Sequence, residues 1–350
     1  MGINYRVATG VIIKEYLEEK NINEEELSKI LGVSKLYISE LLSGKNKLTE
    51  DIAVNLEKVL PEIPASYWLN LENKYREYLA NECDKNNLEK FNLEEIAKKF
   101  KFKEVFKGLN WDLLKQANEM LKILKLNSFD DFNDVYSNLQ VDFFEDGGEK
   151  EAIAIWLNLC KEEAELQTED INGIEYSHEK LQQKLGLFKN IAYNTNLNST
   201  LISCRKLCNQ LGIYFVELEA ISNSKVRGAL LTYNDHPAIF ISRRFKSHDH
   251  VWFAIAHELG HLLKHYNINE VLISLEEEQI NNKEMEANEF AREFFISKKS
   301  YNEFIEKGDF SSKSIELFSA KNRILPGILV ARLQHDKYID MASLNYKKNR

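Results

Sequence analysis

The chemistry-bearing stretch of this 350-residue chain is His257-Glu258-Leu259-Gly260-His261. On a helix, residues i and i+4 share a face, so the two imidazoles stand one above the other. Neutral imidazoles ligate Zn2+ at about 2.0–2.1 Å, and a zinc-held water gives up its proton near neutral pH. Glu258 lies about 100° further round the helix, where a carboxylate can take that proton as general base. So short a motif arises by chance often enough that it needs a third ligand. The segment KEMEANEFAREFF at 283–295 supplies one. Glu284 completes a set of two histidines and one glutamate, leaving a fourth position for water. Asn288, one turn on, can bond a ligand histidine and fix its tautomer. Glu286 is rotated about 200° from Glu284 and is expected to face elsewhere. Taken alone, this segment would read as a surface acidic helix with a phenylalanine face. Hydrolysis also needs a donor to the developing oxyanion. His248, His250, Arg243, Arg244 and Tyr266 are candidates, with His236 and His265 also close in sequence.

The elements that must position these residues are legible around them. Phe253, Ala256, Leu259, Leu262 and Leu263 recur at helical spacing through the motif. Three strand-like segments precede it, at 213–220, 227–233 and 238–245, with the turn-prone Asn234-Asp235-His236-Pro237 between the last two. They suggest a small antiparallel sheet. An open edge strand beside the motif helix would accept an extended peptide as one more strand, and Ala238 to Ser242 is the expected edge. With these pieces in hand, IFISRRFKSHDHVWFAIAHELGHLLKH, EMEANEFAREFFIS and ILPGILVARLQH resemble the ImmA/IrrE family of zinc metallo-endopeptidases over roughly residues 196–340. The resemblance implies a gluzincin-like fold, with His257, His261 and Glu284 as zinc ligands and Glu258 as general base. It also implies a protein substrate, since family members cleave XRE-type repressors. Asn288 stands where related zincins often carry Asp; both side chains can accept from an imidazole.

The N-terminal 80 residues read as a string of short helices. Glu24 to Leu31 ends at Gly32, a good residue just past a helix. Ser34 suits the N-cap of Lys35 to Leu42, and Thr49 caps a further helix that Pro61 stops. Two short helices joined by a tight glycine turn make a helix-turn-helix pattern. LSKILGVSKLYISELLSGKNKLT resembles the XRE-type helix-turn-helix family, and PASYWLNLENKYREYL looks like the version in HigA-type antitoxins. That resemblance implies a five-helix, often dimeric domain binding double-stranded DNA, with its third helix in the major groove. Ser34, Lys35, Tyr37, Ile38 and Ser39 would then face bases or phosphates, with Lys45 and Lys47 on the backbone. A helix-turn-helix kept for docking or dimerisation is the alternative, because the first 60 residues hold eight Lys/Arg against ten Asp/Glu.

Length and composition bound the rest. The expected division is a helix-turn-helix domain at 1–80, a helical linker or middle region at 81–195 and a metallopeptidase domain at 196–350. The fold class is mainly α with a small antiparallel sheet, α+β overall. An apolar fraction of 44% suffices for packed cores, and a net charge of −9 confines any DNA contact to a local surface. Cys83, Cys160, Cys204 and Cys208 form no C-x-x-C pair and suit buried thiols in a reducing cytoplasm. No run reaches membrane-spanning length. The acidic clusters Asp130-Asp131 and Asp142, Glu145, Asp146 lack calcium-loop spacing. Three functions remain: a DNA-binding zinc endopeptidase cutting a regulatory protein; a regulator or antitoxin whose peptidase-like domain senses or binds; and a scaffold neutralising a cognate toxin. The intact Glu258 favours the first, since a sensor needs no general base.

Overall fold

The computed structural model describes residues 7–88, 90–137, 148–244, 246–275 and 281–347, without the side chains at 77–87 and 346. The side chain of Cys83 and the cluster Asp142, Glu145, Asp146 lie outside the described part. The chain forms two compact units, 1–93 and 94–350.

The first unit is all helical: α1 (Thr9–Glu19), α2 (Glu24–Leu31), α3 (Lys35–Leu42), α4 (Glu50–Val59) and α5 (Ala65–Leu88). Its boundaries follow from caps. Asn23 and Glu26 form a reciprocal capping box at the start of α2, and Ser34 Oγ accepts from the Tyr37 amide at 3.1 Å to start α3. Gly32, at φ 69°, ends α2 in the left-handed region. Trp68 is completely buried and packs edge-on to Tyr16 and Tyr67, so the Trp68-Leu69-Asn70 extension closes this core.

The boundary falls at the first residue of α6 (Leu93–Lys99), and the second unit continues with α7 (Phe102–Val105), α8 (Leu113–Ile123) and α9 (Phe132–Val135). Asp131 completes a capping box with Ser128, which accounts for one of the acidic pairs without a cation. There follow α10 (Lys150–Glu165), α11 (Thr168–Ile171), α12 (His178–Ala192) and α13 (Leu197–Gln210). The sheet and its helices come next: β1 (Tyr214–Leu218), β2 (Val226–Tyr233), β3 (His236–Ser242), α14 (His248–Lys264), β4 (Leu272–Leu275) and α15 (Asn282–Phe295). The last helices are α16 (Lys298–Lys307), α17 (Ser312–Asn322) and α18 (Pro326–His335). Cys160, Cys204 and Cys208 are buried and unbridged. No described helix is long and apolar enough to cross a membrane.

The sheet order is β1-β3-β2-β4. β2 and β3 form a hairpin whose turn residues Asn234 and Asp235 both have positive φ, the geometry of a tight two-residue turn. β3 folds back into the gap between β2 and β1 and runs parallel to β1. The sheet is therefore mixed, not wholly antiparallel. Ala238 to Ser242 is correspondingly a central strand instead of the expected edge. Its unbroken apolar run is the mark of a strand covered on both faces: Phe240 meets Trp156 of α10, while Ile239 and Ile241 join the core beneath α14. The outer strand beside β2 is β4, a short run outside the three strands expected from the sequence.

Candidate metal centre

His257 and His261 leave α14 on the side that meets α15. Close approach of those helices depends on small residues: Ala287 and Ala291 are fully buried, and a Cβ on Gly260 would stand 3.0 Å from Phe290. Glu284 is thereby brought to the histidine pair. The two Nε2 atoms are 3.0 Å apart, with Glu284 Oε2 3.1 Å from His257 Nε2 and Oε1 3.0 Å from His261 Nε2. Among the described residues this is the one group of three such side chains whose ligand atoms all fall within 4.8 Å of one another.

The donor set fits a divalent cation. His257 Nδ1 lies 3.0 Å from Asn288 Oδ1, and an amide oxygen only accepts, so Nδ1 carries a proton and Nε2 is the nitrogen turned to the centre. A second imidazole nitrogen and a carboxylate converge on the same point, the composition of a two-histidine, one-glutamate zinc site. Burial would raise the Glu284 carboxyl, but hydrogen bonds from His257 and His261 outweigh it and hold the group at about 2. At His261 burial opposes the imidazolium, yet the Glu284 bond and the charges of Glu258 and Glu284 raise its pKa.

Glu258 is completely buried. That burial raises its pKa against the pull of His261, His257 and a hydrogen bond from Ser274. Ser274 Oγ on β4 donates to Glu258 Oε1 at 2.7 Å, whereas Oε2 has no hydrogen-bond partner in the protein. An orphaned carboxylate oxygen beside the histidine pair is what a general base awaiting a water requires. Gly228 of β2 makes room for it, because a Cβ there would lie 2.4 Å from Glu258 Oε1. Neither Gly228 nor Ser274 is singled out by the sequence. A glycine inside a strand, often a mark of close approach, was the available signal. His257, Glu258, Glu284 and Asn288 line a cavity of about 230 Å3, together with apolar residues that include Phe253, Phe295 and Ile328.

Of the oxyanion candidates, only His250 lines this cavity. His248 is buried against Trp252 with Nε2 on the Asn194 carbonyl, Tyr266 shares a hydrogen bond with Thr232, and Arg243 pairs with Glu217. Glu286 stays out of the convergent group and meets His265 instead. His236 Nδ1 bonds the Gly212 carbonyl.

In the first unit, Ser34, Lys35, Ser39, Lys45 and Lys47 are exposed and Tyr37 is half-buried. Ile38 is 0% exposed and belongs to the core, which corrects its assignment to the DNA face: α3 must turn one apolar stripe inward to pack on its neighbours. Leu36, 69% exposed, stands on the outer face instead.

Comparison with known proteins accords with both halves. The model of the IrrE N-terminal-like domain, a peptidase family, matches residues 208–319, and the helix-turn-helix model matches residues 13–68. The uncharacterized HTH-type transcriptional regulator YddM of Escherichia coli (strain K12) is 36% identical over 66 residues, 19% of this chain and 69% of that protein. Virulence-associated protein A of Dichelobacter nodosus is 33% identical over 67 residues, 19% of this chain and 66% of its own length. The uncharacterized HTH-type transcriptional regulator YbaQ of Escherichia coli (strain K12) is 34% identical over 62 residues, 18% of this chain and 54% of its own length. No solved structure matches the chain. The chain belongs to the XRE-type helix-turn-helix family through its N-terminal unit and carries an IrrE N-terminal-like peptidase domain in its C-terminal half.

Proposed function

We propose that this chain is a regulatory zinc-dependent endopeptidase that binds double-stranded DNA through its helix-turn-helix unit and cleaves a repressor-type or other regulatory protein. The observation that carries the reading is Glu258: a buried carboxylate with one oxygen tethered by Ser274 and the other unpartnered beside the histidine pair. A fold that needed only to bind a ligand would have no use for so costly a group. Zn2+ held by His257, His261 and Glu284 would supply Lewis-acid activation of a water and of the scissile carbonyl. Glu258 takes a proton from the attacking water and later gives it to the departing amine. Its raised pKa brings it nearer the working pH for both transfers. Asn288 holds His257 with Nε2 toward the centre. The outer edge of β4, whose Ser274 and Leu275 line the cavity, receives an extended substrate as a further strand.

The test pairs metal analysis with incubation of candidate helix-turn-helix repressors, wild type against Glu258→Gln. About one zinc per chain in both proteins and cleavage by the wild type alone is expected; identical behaviour of the two on every repressor tried would sink the peptidase.

A second reading is favoured by the names of two of these relatives, YddM and YbaQ, which are called HTH-type transcriptional regulators. There the chain is a regulator or antitoxin, the peptidase-like domain is a sensor or a surface for a cognate toxin, and Glu258→Gln leaves repression unchanged. On either reading we place the chain in the cytoplasm, as a homodimer suited to a two-fold operator.

A further inference from the structure

The convergent group takes up one end of the cavity of about 230 Å3, and the remainder runs away from it between three helices. Its direction follows from the pairing of α14 with α15. His261 meets Glu284 and His257 meets Asn288, so the two helices are antiparallel, and earlier residues of α14 face later residues of α15. From His257 back to Asp249 is eight residues, about 12 Å at 1.5 Å each. Phe253 lines that length, with Ala291, Phe295 and Ile296 contributed by α15 and Ile328 and Ala331 by α18. Ala291, Phe295, Ile296 and Ile328 are buried, so core packing fixes the wall.

The charged residues that these helices add to the lining have their polar ends engaged elsewhere. Arg332 donates to the Arg292 and Ile296 carbonyls and covers the Tyr301 ring. Arg292 lies 3.8 Å from Glu289, His335 meets Asp336 at 2.9 Å, and His250 Nδ1 meets Ser247 and Asp249. On the sheet side the charged lining residue is Arg227. We propose that this cavity is a subsite for one bulky apolar side chain, the size of leucine or phenylalanine, next to the scissile bond, and that Ala331 sets its size. A dry apolar cavity of about 150 Å3 is enough to take benzene, so this one holds a phenyl ring with space left at the centre. A charged side chain would have to give up its water to a largely apolar wall, and alanine would leave that wall without partner atoms. Ala331 is half-buried and shares a face of α18 with Ile328, one turn earlier, so each carbon added there comes out of the cavity. The proposal rests on the endopeptidase reading for its occupant, a peptide side chain; the shape and chemistry of the cavity do not depend on that reading.

The test uses the full chain, isotope-labelled at its isoleucine methyls, with five probes: the N-acetyl amides of phenylalanine, leucine, alanine, aspartate and lysine. Shifts of the Ile328 methyl give their dissociation constants without any catalysis. The phenylalanine and leucine amides should bind about 10- to 100-fold tighter than the alanine amide, and the aspartate and lysine amides no better than alanine. In Ala331→Val and Ala331→Leu the advantage of phenylalanine should fall stepwise, to within about twofold of alanine in the second. A second arm incubates the zinc-loaded chain with a randomised peptide library and with candidate repressors, and cuts should fall beside a bulky apolar residue. Equal binding of all five amides overturns the subsite, and so does a preference for aspartate, which would make Arg227 the selecting group. An advantage of phenylalanine left unchanged in folded Ala331→Val overturns the role of Ala331. Selective amide binding with no cleavage of peptides or repressors leaves the subsite standing and removes the peptidase, whereas cuts beside charged residues do the reverse.

Discussion

At the scale of single residues, the centre depends on one absence, the missing side chain at Gly228. A methyl group 2.4 Å from Glu258 Oε1 cannot be accommodated without moving either the carboxylate or β2. Glu258 is the softer of the two, so Gly228→Ala should displace the carboxylate while leaving His257, His261 and Glu284 in place. The expected outcome is unchanged zinc stoichiometry with a loss of cleavage on the order of 100-fold, the usual cost of misplacing a reacting group by about 1 Å. Metal analysis and single-turnover cleavage would check it, and loss of the metal along with the activity would contradict it. Ser274→Ala should act more mildly. It removes a single hydrogen bond to a buried carboxylate, worth about 1.5–3 kcal/mol, and the freed oxygen prefers protonation still more. The pH at which cleavage falls on the acid side should therefore move upward in that variant. The convergent residues His257, Glu258, His261 and Glu284 are legible in the sequence because their spacing is local to two helices. Gly228 and Ser274 are not, because each meets Glu258 only across a strand pairing that no local pattern encodes.

At the scale of elements, α14 and α15 are readable from apolar period and small residues, whereas the sheet departs from its sequence pattern in two ways. Strands adjacent in sequence suggest neighbours in space, but β3 inserts between β1 and β2, and β4 is four residues long with only Ser274 buried. α10 likewise reads in sequence as part of a connecting region. In the structure it is buried on nearly every side, and Trp156 packs on Phe240 of the central strand. A helix apolar all round loses the contrast between faces on which sequence reading relies. The C-terminal helices give a prediction with a pH sign. Tyr301 of α16 donates to Asp336 at 2.6 Å, and the guanidinium of Arg332 lies 3.7 Å over the Tyr301 ring while donating to the Arg292 and Ile296 carbonyls that end α15. Burial would raise the Asp336 carboxyl, but hydrogen bonds from Tyr301 and His335 outweigh it and lower its pKa. A carboxyl with a folded pKa below its unfolded one stabilises above the unfolded value, about 3.9 for Asp, and loses that contribution as pH falls. Asp336→Asn should thus lower stability at pH 7 and converge on wild type in denaturant melts toward pH 3. Tyr301→Phe should cost about 1–2 kcal/mol at pH 7, and a gap for Asp336→Asn that persists undiminished at pH 3 would rule out the ionised pair as its source.

At the scale of the whole molecule, the charge balance decides how an acidic chain can hold DNA. Net charge is −9, and even residues 1–60 carry more acids than bases. Most of the acids lie off α3: Glu15, Glu18 and Glu19 are on α1, Glu24 to Glu26 open α2, and Glu50 and Asp51 open α4. Between Ser34 and Leu48 the chain has Lys35, Lys45 and Lys47 against Glu40, whose carboxylate accepts from Asn46. The loop bearing Lys45 and Lys47 is pinned from α5, where Arg76 donates to the Asn46 carbonyl at 3.1 Å and Glu72 accepts from the Leu48 amide at 3.3 Å. A local basic edge on an acidic body makes phosphate contact few in number and sensitive to each lysine. Converting Lys45 and Lys47 to alanine should lower the slope of log affinity against log salt by about 1.8, close to 0.9 for each phosphate that is no longer neutralised. Leu36→Ala should behave differently. If α3 enters the major groove as proposed, exposed Leu36 meets base edges, thymine methyls above all, so its loss should cost about 1–3 kcal/mol on a cognate site, little on random DNA, and leave the salt slope unchanged. Titrations of both variants at several salt concentrations, on operator and random duplexes, separate the two effects. A wild-type chain with no salt slope at all would assign the helix-turn-helix unit to protein docking, and the peptidase domain would then have to find its substrate without DNA bringing them together.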